Sequence, residues 1–228
     1  MSSKLKAIIF GIDDVLYDAT LQSSSARLSA VKAMIEAGLP VDVETGYRTL
    51  EEIVKTVGPD STKHFDMLLE KLGLDLKPSV VAAGVVAYRG TSPVFLKPYP
   101  DTVPTLLKLR DQRYKLGVAS EGKSVKQWQK LISLGLQHLF NSVVTSEDLK
   151  LEHLSEAVLK RVPDDLGAHP SNAAFVDVNL DKLDIANRAG LITIRLRKGE
   201  AKLEKLRGSQ PKYEIKTLSE ILQIPTKL

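Results

Sequence analysis

Cysteine is absent from all 228 residues. That single absence excludes disulfides, thiol nucleophiles and thiolate metal sites together. Long apolar runs are also missing, and stretches such as the one from Phe10 to Leu16 are far too short to span a bilayer. No basic n-region followed by an apolar h-region opens the chain, so a cytoplasmic location is expected, with no membrane partner. Aromatic residues make up only 5% of the sequence. Internal repeats and low-complexity segments are lacking too.

What is present is ordinary for a globular protein, with 43% hydrophobic and 26% charged residues. The length suits one large domain, or a core carrying one sizeable insert. The net charge of +4 is unevenly placed. Between Leu191 and Lys212 stand Arg195, Arg197, Lys198, Lys202, Lys205, Arg207 and Lys212, against only Glu200 and Glu204. Such a tract could meet phosphates or an acidic partner, or simply form a solvated strand end and loop. No aromatics interleave with it, as they do in single-strand nucleic-acid binders, so nucleic acid is not the expected partner.

The apolar run Ala7-Ile8-Ile9-Phe10 reads as a buried strand that delivers Asp13 and Asp14 to its carboxyl end. From Thr20 to Ala37 the apolar residues recur near 3.6, which predicts a helix stopped by Gly38-Leu39-Pro40. Asp42–Val57, Ser61–Leu72 and Pro78–Tyr88 read as three further helices. The pattern then changes. A helix to about Gln112 precedes a strand at Lys115–Ala119, and a helix at Lys123–Leu134 precedes a strand at Ser142–Thr145. A helix at Leu154–Arg161 precedes a strand at Ala173–Val176, and one at Asp181–Ala189 precedes a strand at Ile192–Leu196. Strand alternating with helix predicts a parallel α/β sheet covered on both faces. Residues 1–17 and 91–228 are expected to form that core, with residues 18–90 inserted as a helical cap. Ligands of open parallel sheets bind at the carboxyl edge of the strands.

Four segments converge on that edge: Gly11-Ile12-Asp13-Asp14-Val15, Ser120-Glu121-Gly122, the stretch after Thr145 and Asp177 with Asp181. In this order and spacing the chain resembles the haloacid dehalogenase-like (HAD) superfamily, in its phosphatase-like branch with a helical cap. The resemblance implies a doubly wound, Rossmann-like core. It also implies a D-x-D-x-[TV] motif after the first strand, in which the first Asp attacks phosphorus and the second serves as acid/base. Here that stretch reads GIDDV, leaving the nucleophile position vacant at Gly11 and the acid/base at Asp13. Ser120, Glu121 and Gly122 match the second, phosphate-binding motif. The third-motif Lys falls on His153. Asp177 takes the metal-binding position of the fourth motif and Asp181 supplies its second acid, with Val176 in place of Gly.

The consequences differ from motif to motif. Gly11 has no oxygen to form an aspartyl-phosphate. A Mg²⁺ site built from Asp13, Asp177 and Asp181 has one carboxylate fewer than the family's, and is expected to be weak or lost. His153 is a poor substitute for a lysine charge near pH 7. Gly122 and Lys123 open a helix whose free N–H groups suit an anion. Taken together these departures predict a non-catalytic protein that binds a protein partner or a phosphorylated small molecule. The rival expectation is a Mg²⁺-dependent hydrolase of small phosphate esters. Asp14 reads as a turn or helix cap, and Ser120 as either a phosphate contact or a cap for the strand end. His64, His138 and His169 read as structural, Trp128 as core or interface, and Tyr17, Tyr47 and Phe65 as packing.

Overall fold

The computed structural model describes residues 5–59, 61–197 and 210–224. These fall into two compact units, with boundaries between Asp18 and Ala19 and between Leu96 and Lys97. The first strand, β1 (Ala7–Phe10), is buried at every position, as a strand covered on both faces must be.

The unit from Ala19 to Leu96 is helical: α1 (Ala19–Glu36), α2 (Val43–Val57), α3 (His64–Lys71) and α4 (Pro78–Phe95). Asp42 opens α2 by accepting hydrogen bonds from Thr45 N and Thr45 Oγ1, both at 2.8 Å. A cap of this kind contributes about 1 kcal/mol. Val31, Met34, Leu50, Ile53, Leu68, Leu69 and Val80 form one buried cluster. A Cβ on Gly84 would come within 2.8 Å of Met34 Cγ and Sδ, so the absent side chain lets α4 lie close against α1. Pro78 stands in the first turn of α4, where its missing N–H is not needed. The helix runs past Tyr88, where its sequence pattern fades, to Phe95. Pro93 falls in the last turn, where it removes a single helical hydrogen bond.

The remaining elements are α5 (Thr102–Asp111), β2 (Lys115–Ser120), α6 (Ser124–Ser133), β3 (Ser142–Thr145), α7 (Glu156–Asp165), β4 (Ala173–Asp177), α8 (Leu180–Arg188), β5 (Ile192–Leu196) and β6 (Tyr213–Ile215). The strands form one six-stranded sheet in the order β3-β2-β1-β4-β5-β6. Every pairing is parallel, so the doubly wound α/β fold anticipated from the alternation of elements is the one observed. Ala7 and Ile9 pack with Val158, Leu159 and Val162 of α7 and Leu183 and Ala186 of α8. Ile8 and Phe10 point to the opposite face, where the Phe10 ring meets Phe140 edge-on at 6.2 Å. Each such fully buried side chain contributes about 1.5–3 kcal/mol. No helix among the described residues is long and apolar enough to cross a membrane.

Register positions the site. Phe10 lies opposite Val118 of β2 and Val176 of β4. Gly11 and Asp177 follow directly, and Ser120 ends β2 one residue beyond the level of Gly11, so the three emerge on neighbouring strands at one edge of the sheet.

Candidate active site

Gly11 extends the ladder by one bond, its N–H donating to Val176 O at 3.0 Å. The chain then turns sharply: Ile12 O accepts from Leu16 N at 3.0 Å, and Asp14 adopts a φ of 59°. Asp tolerates this left-handed conformation better than most residues, and its place here is in the turn. The turn presents the Asp13 carboxylate, whose Oδ1 accepts from Tyr17 Oη at 2.8 Å. Lys130, 117 residues away on α6, donates to both Asp13 oxygens at 2.8 and 2.7 Å.

Asp177 is 2% exposed. Its Oδ1 accepts from Asn179 N at 2.8 Å. Its Oδ2 occupies the space that a Cβ on Gly11 would need, and such a Cβ would also lie 3.1 Å from Asp177 Cγ. Burial pushes the Asp177 carboxyl up to about 6, against the charge of Lys182 and the N–H groups of Asn179 and Val178, while the charge of Asp13 adds to the rise. The missing nucleophile has thus left no hollow, because the neighbouring acid fills it.

Around the end of β2 the polar groups are largely engaged by the protein itself. Ser120 is 7% exposed, and its Oγ makes only a long 3.5 Å contact with Glu121 O. Glu121 accepts from Leu154 N at 2.9 Å and faces His153 Nδ1 at 3.3 Å. Burial raises the Glu121 carboxyl, but the bonds from Leu154 N–H and His153 and the charge of Lys182 outweigh it and leave it below the usual range. The His153 side chain is 80% exposed, so its partner in the structure is Glu121. The N–H groups expected to suit an external anion also have internal partners. Gly122 N donates to Ser146 Oγ at 3.0 Å and Ser124 N to Glu147 Oε2 at 2.8 Å. Asp148 completes this cap, accepting from Ser124 Oγ at 2.7 Å and Thr145 N at 2.7 Å. Lys123 is the residue just before α6 and makes no side-chain cap to it.

Of the residues expected to hold a divalent ion, Asp177 is buried at the end of β4 and the Asp13 carboxylate is engaged by Lys130 and Tyr17. Asp181 lies in the first turn of α8 and is exposed. Among the described residues, no group of three or more His, Asp or Glu side chains gathers to hold an ion. In the basic tract, Lys198, Lys202, Lys205 and Arg207 lie outside the described residues. Arg195 and Arg197 approach Glu214 of β6 at 3.6 and 3.3 Å, and the Lys212 ammonium stands 5.8 Å from the centroid of the Tyr213 ring. The histidines expected to be structural make local bonds: His64 Nε2 meets Gly58 O at 2.8 Å, and His169 Nδ1 meets Ser171 Oγ at 2.9 Å. Trp128 is 40% exposed, with Val125 and Ile132 exposed on the same helix.

A parallel sheet that brings Asp13, Ser120 and Asp177 to neighbouring strand ends is the arrangement of a HAD-type hydrolase core. The chain belongs to the haloacid dehalogenase-like hydrolase family, whose model matches residues 8–196. It is 43% identical over 230 residues, 98% of each chain, to the glyceraldehyde 3-phosphate phosphatase of Methanopyrus kandleri. It is 35% identical over 229 residues, again 98% of each chain, to the enzyme of that name from Methanocaldococcus jannaschii. Among solved structures, a HAD phosphatase of Thermococcus onnurineus superposes with a TM-score of 0.68 at 25% identity, covering 96% of this chain and 97% of that one. An L-2-haloacid dehalogenase shares the fold, with a TM-score of 0.68 at 19% identity over 97% and 98% of the two chains.

These relatives correct one expectation. The departures at Gly11, His153 and Val176 predict a non-catalytic binding or regulatory protein, yet near-full-length relatives at this identity carry the name of a phosphatase. The alternative expectation, a phosphate-ester hydrolase, is the one they support. The HAD phosphatase family generally uses Mg²⁺. Sequence reasoning missed Tyr17 as a partner of Asp13, along with Lys130, Lys182 and the Glu147–Asp148 cap. Tyr17 could have been found from its place four residues after Asp13. No local signal marks Lys130.

Proposed function

We propose that this protein hydrolyses small phosphate monoesters of the glyceraldehyde 3-phosphate class, in the cytoplasm. The observation that carries this reading is the 43% identity over 98% of both chains to a phosphatase of that name. The side-by-side placement of Asp13, Ser120 and Asp177 supports it. Gly11 offers no oxygen, so the phosphoryl group passes to water in one step. Water oxygen bonds to phosphorus as the ester P–O bond breaks. Asp13, aligned by Lys130 and Tyr17, takes the proton of the attacking water, and the departing alkoxide on the opposite side of phosphorus takes its proton from solvent. Ser120 hydrogen-bonds the phosphoryl oxygens. On this donor set we read the Mg²⁺ site as incomplete, and no step is routed through an ion.

Loss of a covalent nucleophile costs on the order of 10⁶ in rate in other enzymes and leaves a remnant from positioning. Slow turnover is therefore expected. Phosphate release from glyceraldehyde 3-phosphate should exceed the buffer rate and should fall to that rate in Asp13→Asn and Ser120→Ala. A chiral phosphate ester should give product with inverted configuration at phosphorus. Release at the buffer rate by the unaltered protein, or release that survives both substitutions, would refute the reading.

A further inference from the structure

Helix α4 departs from the one-sided pattern of a surface helix. The consecutive residues from Val80 to Ala87 carry no polar side chain. That run is longer than two turns, so this half of the helix is apolar all round. One side of it is covered: Val80 is buried in the cluster with Met34 and Leu69, and Gly84 lies close to Met34. The other side is open to solvent. Val86 is 71% exposed, and Leu76, in the segment leading into α4, is 59% exposed. Both line a groove of about 320 Å³ that also takes in Pro78, Val81 and Val85. Asp66 of α3 is its single charged lining residue. Arg89 is the single charged residue of α4 and stands, exposed, one turn beyond Val86.

An apolar groove calls for an apolar knob, and this face supplies its own. In a two-fold pair a surface meets itself, so a knob at one place must find a hole at another place on the same face. When two copies of α4 run antiparallel about an axis level with Gly84, Val86 of each copy falls over Ala82 of the other, within the groove. Arg89 of each copy falls level with Ser79 of the other, at the end of the groove near Pro78. The face carries one charge of each sign, so it complements itself better than it complements an acidic or a basic partner. We propose that the open face of α4 is a homodimer interface, in which each copy inserts Val86 into the groove of the other and Arg89 of each meets Asp66 of the other. The inference is independent of the hydrolase reading.

The test is sedimentation of the full-length protein over a range of concentrations. The wild type should dimerise with a Kd of about 1–100 μM, as suits an interface the size of one helix. Val86→Asp should weaken the dimer by about tenfold or more, because it buries a charge in an apolar groove. Asp66→Arg and Arg89→Asp should each weaken it by about tenfold or more, since like charges then face each other twice. Mixing those two variants should restore the dimer, because each chain of the mixed pair meets an opposite charge at both places. Matching melting curves establish that all three variants fold. A wild type that stays monomeric at about 1 mM, its face bare or kept for another protein, overturns the inference. So does a dimer that survives Val86→Asp, or a mixture that associates no better than its separate components.

Discussion

The Asp177 carboxylate occupies the volume that a side chain on Gly11 would fill, and Val15 Cγ2 closes the other side at 3.3 Å from an ideal Cβ. Two neighbouring strands, β1 and β4, therefore share one side-chain position at the carboxyl edge of the sheet. The glycine is not a passive gap, because any larger residue there must displace an acid that is already buried.

The first prediction follows directly. Gly11→Ala should destabilise the fold by about 1–3 kcal/mol, the usual cost of overpacking. Combining it with Asp177→Gly should recover part of that loss, because the pair is in contact and cannot be additive. Denaturant melts of the four proteins give the coupling, and additive costs would show that the two positions do not compete. Gly11→Asp should behave differently. It restores a second carboxylate beside Asp177, so Mg²⁺ should raise the melting temperature of this variant by mass action and leave the wild type unmoved.

Burial gives Asp177 a distinctive pH signature. Its carboxyl is pushed from 3.8 up to about 6, so the native state holds the proton more tightly than the unfolded chain. The contribution of this group to stability is therefore fully present below about pH 4 and is lost as pH rises through about 6. The loss amounts to about 3 kcal/mol at most. Subtracting the stability of Asp177→Asn from that of wild type, in EDTA, should give a difference that falls across this window and is flat above it. A difference that stays level from pH 4 to 7 would contradict the assignment.

Lys130 provides a test of positioning. Its side chain and that of Asp13 are 25% and 43% exposed, so solvent screens the pair and Lys130→Met should cost about 1 kcal/mol of stability or less. Its effect on hydrolysis should be larger. Without the two-point hold on Asp13, kcat should drop by about ten- to a hundredfold while KM changes by less than about threefold. Lys130→Arg should restore part of kcat. An unchanged kcat in Lys130→Met would dismiss the positioning role.

Asp148 should matter for folding rather than for substrate. It accepts from Thr145 N, Thr145 Oγ1 and Ser124 Oγ at 2.7, 3.0 and 2.7 Å. Burial raises its carboxyl, but these donors outweigh that and hold it below the usual carboxylate range. Asp148→Ala should cost about 2–4 kcal/mol at neutral pH. A lowered carboxyl contributes stability above its unfolded value and loses it as pH falls, so the gap between wild type and variant should close in acid. Phosphate affinity should not change, and a gap that persists at low pH would argue against the hydrogen-bonded cap.

Local chemistry in the chain announced a good deal of this molecule. Ala7-Ile8-Ile9-Phe10 had to be a strand covered on both sides, because four consecutive apolar residues leave neither face for water. The alternation of short apolar runs with helical patterns required a parallel sheet. The vacancy at Gly11 and the roles of Asp13 and Asp177 followed from the resemblance to the HAD family, whose motifs fall on those positions. Less visible were β6, three residues paired among the described residues with β5, and the far ends of α4 and α7, where Pro93 and Pro163 sit inside helices. Those extents depend on packing, which overrides the local preference for a break.

The partnerships at the sheet edge were beyond any linear reading. Lys130 reaches Asp13 across 117 residues, Glu147 and Asp148 answer the N–H and hydroxyl groups of Ser124, and Asp177 occupies the space beside Gly11. Sequence by itself determined which functional groups exist and which strand ends carry them, because hydrophobic periodicity is local. Tertiary structure alone decided which charges neutralise one another, because Coulomb and hydrogen-bond energies depend on distance in space and not on distance along the chain.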